Sequence, residues 1–367
     1  MTNAKTRLLK IMMYLAGAFA TAVFVTSKNR NAMLWVTSQD YQYGDLYRLS
    51  KVLRFKPGSP LPTGSLANQD SIDAGSGAAP AKNLLFIGDS FGFCDWGHGP
   101  LHRQLSEKMG QNFFSVYNNN HTAIWRDPYS LLVSRADSSQ PRVMVFQIAE
   151  RLITTRFLAP ESASASPLPA PPAGKLKQFR AAMFEGTEAK HEMILKHCAI
   201  TSPLLEIWNS AMFEGFGKLP KDTPVCSVRP PMLFYRDEIE CFGTKHGDDM
   251  IASLVANISH FDRELWERFH CRLVFLPIPN KFTVYSKWVD EHSYDQFLPR
   301  LCGALQEKGV NTVNLLPRFR DEKQLLYWPT DTHWNNEGIK LATEETLRVI
   351  LTAVHPSAST KAVGDND

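Results

Sequence analysis

The sequence NLLFIGDSFGF, residues 83–93, joins a short apolar run to a Gly-Asp-Ser turn. Similar apolar runs of strand length recur along the chain, and helix-like segments separate them. The runs are 84–87, 113–117, 143–148, 273–278 and 312–315, and the helix-like segments are 100–109, 128–135, 249–269, 297–308 and 337–354. Strands that are apolar almost throughout and alternate with helices are typical of a parallel sheet covered on both faces. The sequence therefore predicts an α/β fold with about five parallel strands.

Two stretches rich in Pro, Ala, Ser and Gly, at 57–82 and 159–174, punctuate the chain and have the composition of spacers. They indicate how the chain is divided. The predicted parts are a membrane-proximal segment with a flexible linker at 31–82, a catalytic domain at 83–355, an insertion of helices and loops within it at about 159–247, and a disordered tail at 356–367.

The N-terminal segment 1–30 differs from the rest because 11–27 is uncharged and has basic residues on both sides. A run of this length is at the lower limit for crossing a bilayer. We interpret 1–30 as a single membrane anchor with its short basic end inside, so that the rest of the chain is exported. A cleaved signal peptide, with the small-x-small site Ala18-Phe19-Ala20, and a buried helix are the alternatives.

Composition excludes some classes of function. The formal net charge is only +3 and no long Lys/Arg stripe occurs, so nucleic-acid binding is not expected. The six cysteines show neither CxxC nor Cys/His spacing, and we expect no metal and no cofactor. Cys226 and Cys241 flank a short polar segment and are the candidate pair for a disulfide.

Two short motifs at opposite ends of the predicted sheet carry the chemistry. Gly-Asp-Ser ends the first strand at Ser90, and Asp331 and His333 follow the last strand. Alone, the first motif could be a capped turn, and the second a metal half-site, a turn or part of a triad. In a parallel sheet both lie at the edge where chemistry collects. Together they predict Ser90 as nucleophile, His333 as general base and Asp331 as the residue that orients it. Asp89 is the rival for the orienting role and otherwise shapes the turn.

These motifs resemble those of the SGNH (GDSL-type) hydrolase superfamily, and most of all the SGNH-like domain of the alginate O-acetyltransferases AlgJ and AlgX. The stretches that carry the resemblance are FIGDSFG (86–92), PRVMVFQIAERLI (141–153), LPIPNKFTVYSKW (276–288) and YWPTDTHWNNEGIKLA (327–342). The resemblance implies a flavodoxin-like, three-layer fold. In AlgJ and AlgX, however, the Asp-x-His block precedes the serine block, whereas here the serine comes first.

Several further residues are predicted near the site. The glycine and asparagine blocks of SGNH esterases are not plainly present, so Asn118, after the second strand, is a guess for an oxyanion donor, and the N–H of Ser90 is another. Arg151 is expected to bind a sugar carboxylate or an acetyl oxygen, or else to pair with Glu150. The resemblance also implies that Lys281 and Tyr285 line a pocket, with loop packing as the alternative. Trp334 could stack on a sugar or belong to the core.

The resemblance implies an exported O-acetyltransferase that acts on an exopolysaccharide through an acetyl-Ser90 intermediate. Because acetyl-CoA is cytoplasmic, a membrane-bound O-acyltransferase partner is expected to relay the acetyl group. The expected location is a bacterial inner membrane, with the catalytic domain in the periplasm or another extracytoplasmic space. A carbohydrate acetyl esterase and a non-catalytic scaffold of an exopolysaccharide complex are the alternative functions.

Overall fold

The computed structural model describes residues 84–110, 114–117, 143–158, 201–216, 225–228, 231–288 and 294–354, with a few isolated positions before residue 62. The chain divides into two compact units. One is Met1–Pro60 with Ala165–Thr223, and the other is Leu61–Ser164 with Pro224–Asp367. Each unit is described by itself. The predicted domain limits, and the tail at 356–367, stay predictions.

The second unit contains a five-stranded, fully parallel sheet, which confirms the predicted α/β class. Its strands are β1 (Leu84–Gly88), β2 (Phe114–Tyr117), β3 (Val143–Ala149), β6 (Arg272–Ile278) and β7 (Asn311–Thr312). They are arranged in the order β2-β1-β3-β6-β7. This is the flavodoxin-like order, in which the chain runs outward from β1 in both directions and leaves a crevice at the carboxyl ends of the strands.

Helices pack against this sheet in two groups. They are α1 (Ser90–Phe93), α2 (Leu101–Met109), α3 (Glu150–Phe157), α5 (Arg236–Gly243), α6 (Asp248–Phe269), α7 (Lys281–Tyr285), α8 (Phe297–Glu307), α9 (Leu316–Asp321) and α10 (Asn336–Val354). Helices α2 and α10 pack together, and α6 packs with α3 and α8. Because parallel crossovers are right-handed, connections that run in opposite directions from β1 cover opposite faces.

Apolar periodicity accounts for the longest helix. In α6, Ile251, Leu254, Ile258 and Leu265 recur at three-to-seven-residue intervals and are buried. Burial of one apolar stripe against β6 fixes this helix on the sheet. The helix ends at Phe269, and the next residue, His270, caps it in a left-handed conformation with φ 51°.

Two parts of this unit differ from the pattern-based prediction. The strand predicted at 312–315 is only Asn311–Thr312, because β7 is an edge strand that pairs with β6 over two residues. In the predicted insertion, β4 (Val225–Val228) and β5 (Pro231–Phe234) form an antiparallel hairpin. Strands of four residues are too short for alternation to be detected. The helix predicted at 128–135 lies outside the described residues.

In the first unit, α4 spans Thr201–Phe216. The anchor predicted at 1–30 falls mostly outside the described residues, although the seven described positions between 14 and 22 are helical. Within the described part of the chain, no helix combines the length and apolar character needed to cross a membrane. The anchor stays a prediction. The suggested Cys226–Cys241 disulfide is wrong, because Cys241 is a free thiol.

Candidate active site

The turn after β1 is held by Asp89. Its carboxylate accepts hydrogen bonds from the N–H of Phe91 at 3.0 Å, from Nε2 of Gln147 at 2.7 Å and from the N–H of Ala149 at 3.2 Å. Gln147 in turn accepts from the N–H of Asp89 at 2.9 Å. This buried network ties the turn to β3 and presents Ser90 at the start of α1. Asp89 therefore shapes the turn, and its carboxylate is occupied there rather than by the imidazole or a substrate.

The structure brings Ser90, His333 and Asp331 into one hydrogen-bonded chain. Nε2 of His333 lies 2.7 Å from Oγ of Ser90, although 243 residues separate them. Nδ1 of His333 lies 2.6 Å from Oδ1 of Asp331, which also accepts from the N–H of His333 at 2.9 Å. An ionised carboxylate only accepts, so Nδ1 carries the proton, and in the neutral imidazole Nε2 offers its lone pair to the serine hydroxyl. This is the arrangement that a serine nucleophile with a general base requires.

Asp331 and His333 lie in a loop, residues 327–334, which we call the acid–histidine loop. An antiparallel bridge between Tyr327 and Trp334 closes it. Its connections are backbone hydrogen bonds from the N–H of Trp328 to the carbonyl of His333 at 3.2 Å and from the N–H of Asn335 to the carbonyl of Leu326 at 2.8 Å. The hairpin also contacts the loop, because the N–H of Leu233 donates to the carbonyl of Pro329 at 2.8 Å.

Lys281 holds this loop from inside. The side chain is 0% exposed. Its Nζ donates to the carbonyl oxygens of Leu233 at 2.7 Å, Trp328 at 2.6 Å, Pro329 at 3.0 Å and Asp331 at 3.0 Å. Four carbonyl dipoles thus solvate one buried ammonium group and join β5 to the acid–histidine loop. The prediction that Lys281 lines a substrate pocket is wrong, because the side chain supports the loop from the interior.

Two other predicted pocket residues also belong to the interior. Trp334 is 0% exposed, and its Nε1 donates to the carbonyl of Phe91 at 3.0 Å, which links the acid–histidine loop to the serine turn. Tyr285 is buried, and its hydroxyl accepts from the N–H of Leu326 at 2.7 Å. The polar atoms of both side chains are occupied by the protein's own backbone, so Tyr285 follows the loop-packing alternative and Trp334 the core alternative, and neither serves as a substrate contact. Asn118 lies outside the described residues.

Arg151 lies close to the site but pairs differently from the prediction. Its Nη1 is 3.1 Å from Oε1 of the fully buried Glu238, not from Glu150. The guanidinium lies 5.9 Å from the ring centroid of Phe91, and its side chain is 20% exposed. Arg151 is therefore a partly accessible cation next to the serine turn, with its charge balanced by Glu238.

Glu150 is buried and does not pair with Arg151. It accepts from the hydroxyl of Tyr294 at 2.8 Å and from the N–H of Asn280 at 2.8 Å. Burial raises the pKa of Glu150 to about 7, against the lowering effect of these hydrogen bonds.

The surroundings of His333 set its protonation. Burial alone lowers the pKa of the imidazole, but the neighbouring Cys94 and Asp331 outweigh it, so that the pKa lies well above its ordinary value. Aromatic rings enclose the histidine: the Phe91 centroid is 4.9 Å away and the Trp96 centroid 6.4 Å away. The imidazolium that forms when His333 accepts a proton is thus stabilised by the carboxylate within a largely apolar surrounding.

Sequence reasoning missed four residues near the site. Cys94 follows α1 and raises the pKa of His333, and Glu238 balances the charge of Arg151. Trp96 and Trp328 lie around the histidine. No spacing rule connects them to the motifs. The one available signal was that Cys94 and Trp96 lie within six residues of Ser90, and Trp328 within three of Asp331.

A serine, a histidine and an aspartate hydrogen-bonded in this order at the carboxyl edge of a parallel α/β sheet define a class of proteins equipped for acyl transfer from a serine. Residues 229–363 match the family model described as the SGNH hydrolase-like domain, acetyltransferase AlgX. This match confirms the resemblance on its C-terminal motifs. The matched stretch includes Asp331 and His333 and begins after Ser90. No curated protein and no solved structure matches the chain.

Proposed function

We propose that this protein is an O-acetyltransferase that transfers acetyl groups to polysaccharide hydroxyls through an acetyl-serine intermediate. The observation that carries the proposal is the contact of 2.7 Å between Nε2 of His333 and Oγ of Ser90, with Asp331 on the other ring nitrogen. The match to an SGNH hydrolase-like acetyltransferase domain supports the same chemistry.

In the first half-reaction, Oγ of Ser90 attacks the acetyl carbonyl carbon of the donor and its proton passes to Nε2 of His333. The bond to the donor's leaving oxygen breaks, and that oxygen takes the proton from His333. In the second half-reaction, a sugar hydroxyl gives its proton to His333 and attacks the acetyl-Ser90 ester. Ser90 leaves as the alcohol, reprotonated by His333. Asp331 stabilises the imidazolium in both steps.

The remaining parts of the proposal concern context. An exopolysaccharide is the proposed acceptor, and Arg151, whose guanidinium lies 5.9 Å from the Phe91 ring centroid, is the proposed contact for a carboxylate or acetyl oxygen. A membrane-bound O-acyltransferase is the proposed source of acetyl groups, and the bacterial inner membrane with an extracytoplasmic catalytic domain is the proposed location. These elements are drawn from the resemblance and from the apolar segment at 11–27.

Water as acceptor would make the same site a carbohydrate acetyl esterase, which the hydrolase-like description of the family model favours. The two functions use the same serine and differ in what reaches the acetyl ester. The acetyltransferase and the esterase are therefore distinguished by their products, acetylated sugar or free acetate, and not by the residues of the triad.

The test uses the full chain with 4-nitrophenyl acetate as donor, with and without a mixture of oligosaccharides. We expect acetylated sugars and an acetyl group on Ser90 by mass spectrometry, and neither in Ser90→Ala. Ser253→Ala, an exposed serine on α6 whose hydroxyl bonds only to the carbonyl of Asp249 at 2.8 Å, is the matched control. Acetate without acetylated sugar supports the esterase. Full activity in Ser90→Ala overturns the proposal, and so does a parent protein that neither cleaves the ester nor becomes acetylated, which would support the scaffold.

A further inference from the structure

Two indole N–H groups close to His333 have no hydrogen-bond partner among the residues that the structure describes. They belong to Trp96, which is 4% exposed, and to the half-buried Trp328. The two ring centroids are 5.7 Å apart in an edge-to-face arrangement, and the Trp96 centroid is 6.4 Å from that of His333. Trp334, in the same loop, donates its N–H to the carbonyl of Phe91 at 3.0 Å. The N–H group of Trp334 is thus satisfied within the protein, whereas those of Trp96 and Trp328 are not.

Buried indole N–H groups usually find an acceptor, because a donor removed from water without a partner is unfavourable. Two such donors on adjacent rings are an exception that stability does not explain. A ligand that supplies the missing acceptor is one physical explanation for such groups. Their position beside the proposed catalytic base indicates that the ligand is a reactant.

A third polar atom belongs to the same cluster. Asn336 donates through Nδ2 to the carbonyl of Trp96 at 3.2 Å, while its buried Oδ1 has no partner within the described part of the chain. The cluster therefore offers two donors and one acceptor around aromatic rings. A hydroxyl group both donates and accepts, and the C–H face of a sugar ring packs on an indole, so a saccharide fits this combination.

We propose that Trp96 and Trp328 form the acceptor subsite, where a sugar ring packs against the indoles and its hydroxyl oxygens accept hydrogen bonds from their N–H groups. A sugar hydroxyl donates a hydrogen bond to Oδ1 of Asn336. This inference rests on the proposed function, because it assigns the acceptor to the same site. Recognition through ring faces and hydroxyls does not require a charged sugar. The subsite is expected to bind a neutral oligosaccharide as well as a uronate.

Binding is measured by isothermal titration of cellotetraose and of a mannuronate tetrasaccharide into the full chain carrying Ser90→Ala, so that no turnover occurs. In that background we compare Trp96→Phe, Trp328→Phe and the double variant. Trp266→Phe is the matched control, because Trp266 is 41% exposed on α6 and stacks on Arg272. We expect the double variant to bind both sugars at least tenfold more weakly and the control to be unchanged.

Two further readouts separate binding from packing. With Ser90 restored, the KM for the oligosaccharide acceptor should rise more than kcat falls in each tryptophan variant. Thermal melting should fall less in Trp96→Phe than in Trp334→Phe, because only the latter breaks a hydrogen bond that the protein makes with itself.

Equal binding by the parent and the double variant overturns the inference, and so does the absence of binding of either sugar to the parent. Melting losses equal to that of Trp334→Phe, without a change in binding, would show that the indoles are structural. Failure of the proposed function has a different signature: Ser90→Ala would retain ester cleavage, whatever the sugar titrations show.

Discussion

Replacement of Lys281 by Met tests whether a buried cation holds the proposed catalytic loop. Methionine preserves the length of the side chain and its apolar stem but provides no donor. The variant therefore deprives four carbonyl oxygens, those of Leu233, Trp328, Pro329 and Asp331, of a charge-assisted hydrogen bond. Trp328 and Pro329 keep a second donor, from the N–H groups of Asp331 and Leu233 respectively, so at most two carbonyls lose every donor.

Each buried carbonyl left without a donor costs about 1–3 kcal/mol, so the expected loss of unfolding free energy is about 2–6 kcal/mol. For domains of this size that corresponds to a fall in melting temperature of about 5–20 °C. Because the lost bonds lie beside Asp331, ester cleavage measured well below the new melting point should fall at least tenfold, mainly in kcat. Differential scanning fluorimetry and hydrolysis of 4-nitrophenyl acetate measure the two effects.

The matched control is Lys340→Met, the same chemical change at an exposed position on α10. It should leave both melting and activity near the parent values, because exposed ion pairs contribute little. A Lys281→Met protein that melts within 1 °C of the parent, or one that is destabilised but fully active, would refute the reasoning that this lysine positions the loop.

Three further outcomes are expected. Asp331→Asn should reduce kcat about 10³–10⁴-fold with little loss of melting temperature, because the histidine loses the carboxylate that fixes its tautomer; retention of more than a tenth of kcat would contradict this role. The rate of ester cleavage should rise with pH as His333 loses its proton and becomes able to act as a base. Because the pKa of His333 is raised, the midpoint of this rise should lie above pH 6.5. A midpoint below that value would count against an imidazole bound to a carboxylate. Gly88→Ala should cost about 1–3 kcal/mol of unfolding free energy, because a Cβ there would lie 2.7 Å from Cε1 of Phe86. Chemical denaturation measures this loss, with Gly303→Ala as the control. A Cβ added at Gly303 would meet open space, so a helical alanine there should be neutral or stabilising.

The parallel sheet could be predicted because its strands are buried on both faces and appear as apolar runs, and α6 because its apolar stripe repeats. The hairpin β4–β5 could not be predicted, because its two strands of four residues depend on contacts with parts of the chain that are distant in sequence. Leu233, for example, supports the acid–histidine loop through its own N–H and through Lys281. Local periodicity contains no information about such distant partners.

The site was predictable where a chemical role demands a residue type at a fixed place, as for the serine after β1 and the Asp-x-His motif. The residues around it were less so. Lys281 and Tyr285 were expected to line a pocket and Trp334 to stack on a sugar, with loop packing and a place in the core as the respective alternatives. Whether such a side chain faces a ligand or supports the loop depends on its burial, and the spacing of residues in the sequence does not show which residues are buried. The same limit explains why Trp334 was chosen and Trp96 and Trp328 were not.

The position of β1 in the middle of the sheet has a consequence for synthesis. A ribosome releases the segment with Ser90 long before the segment with His333, and the first strand already has its neighbours β2 and β3 while the last quarter of the protein is still unmade. Until that quarter docks, the hydroxyl has no base beside it. A nascent or prematurely terminated product that lacks residue 333 therefore lacks the contact between Oγ of Ser90 and Nε2 of His333 on which the proposed acetyl transfer depends.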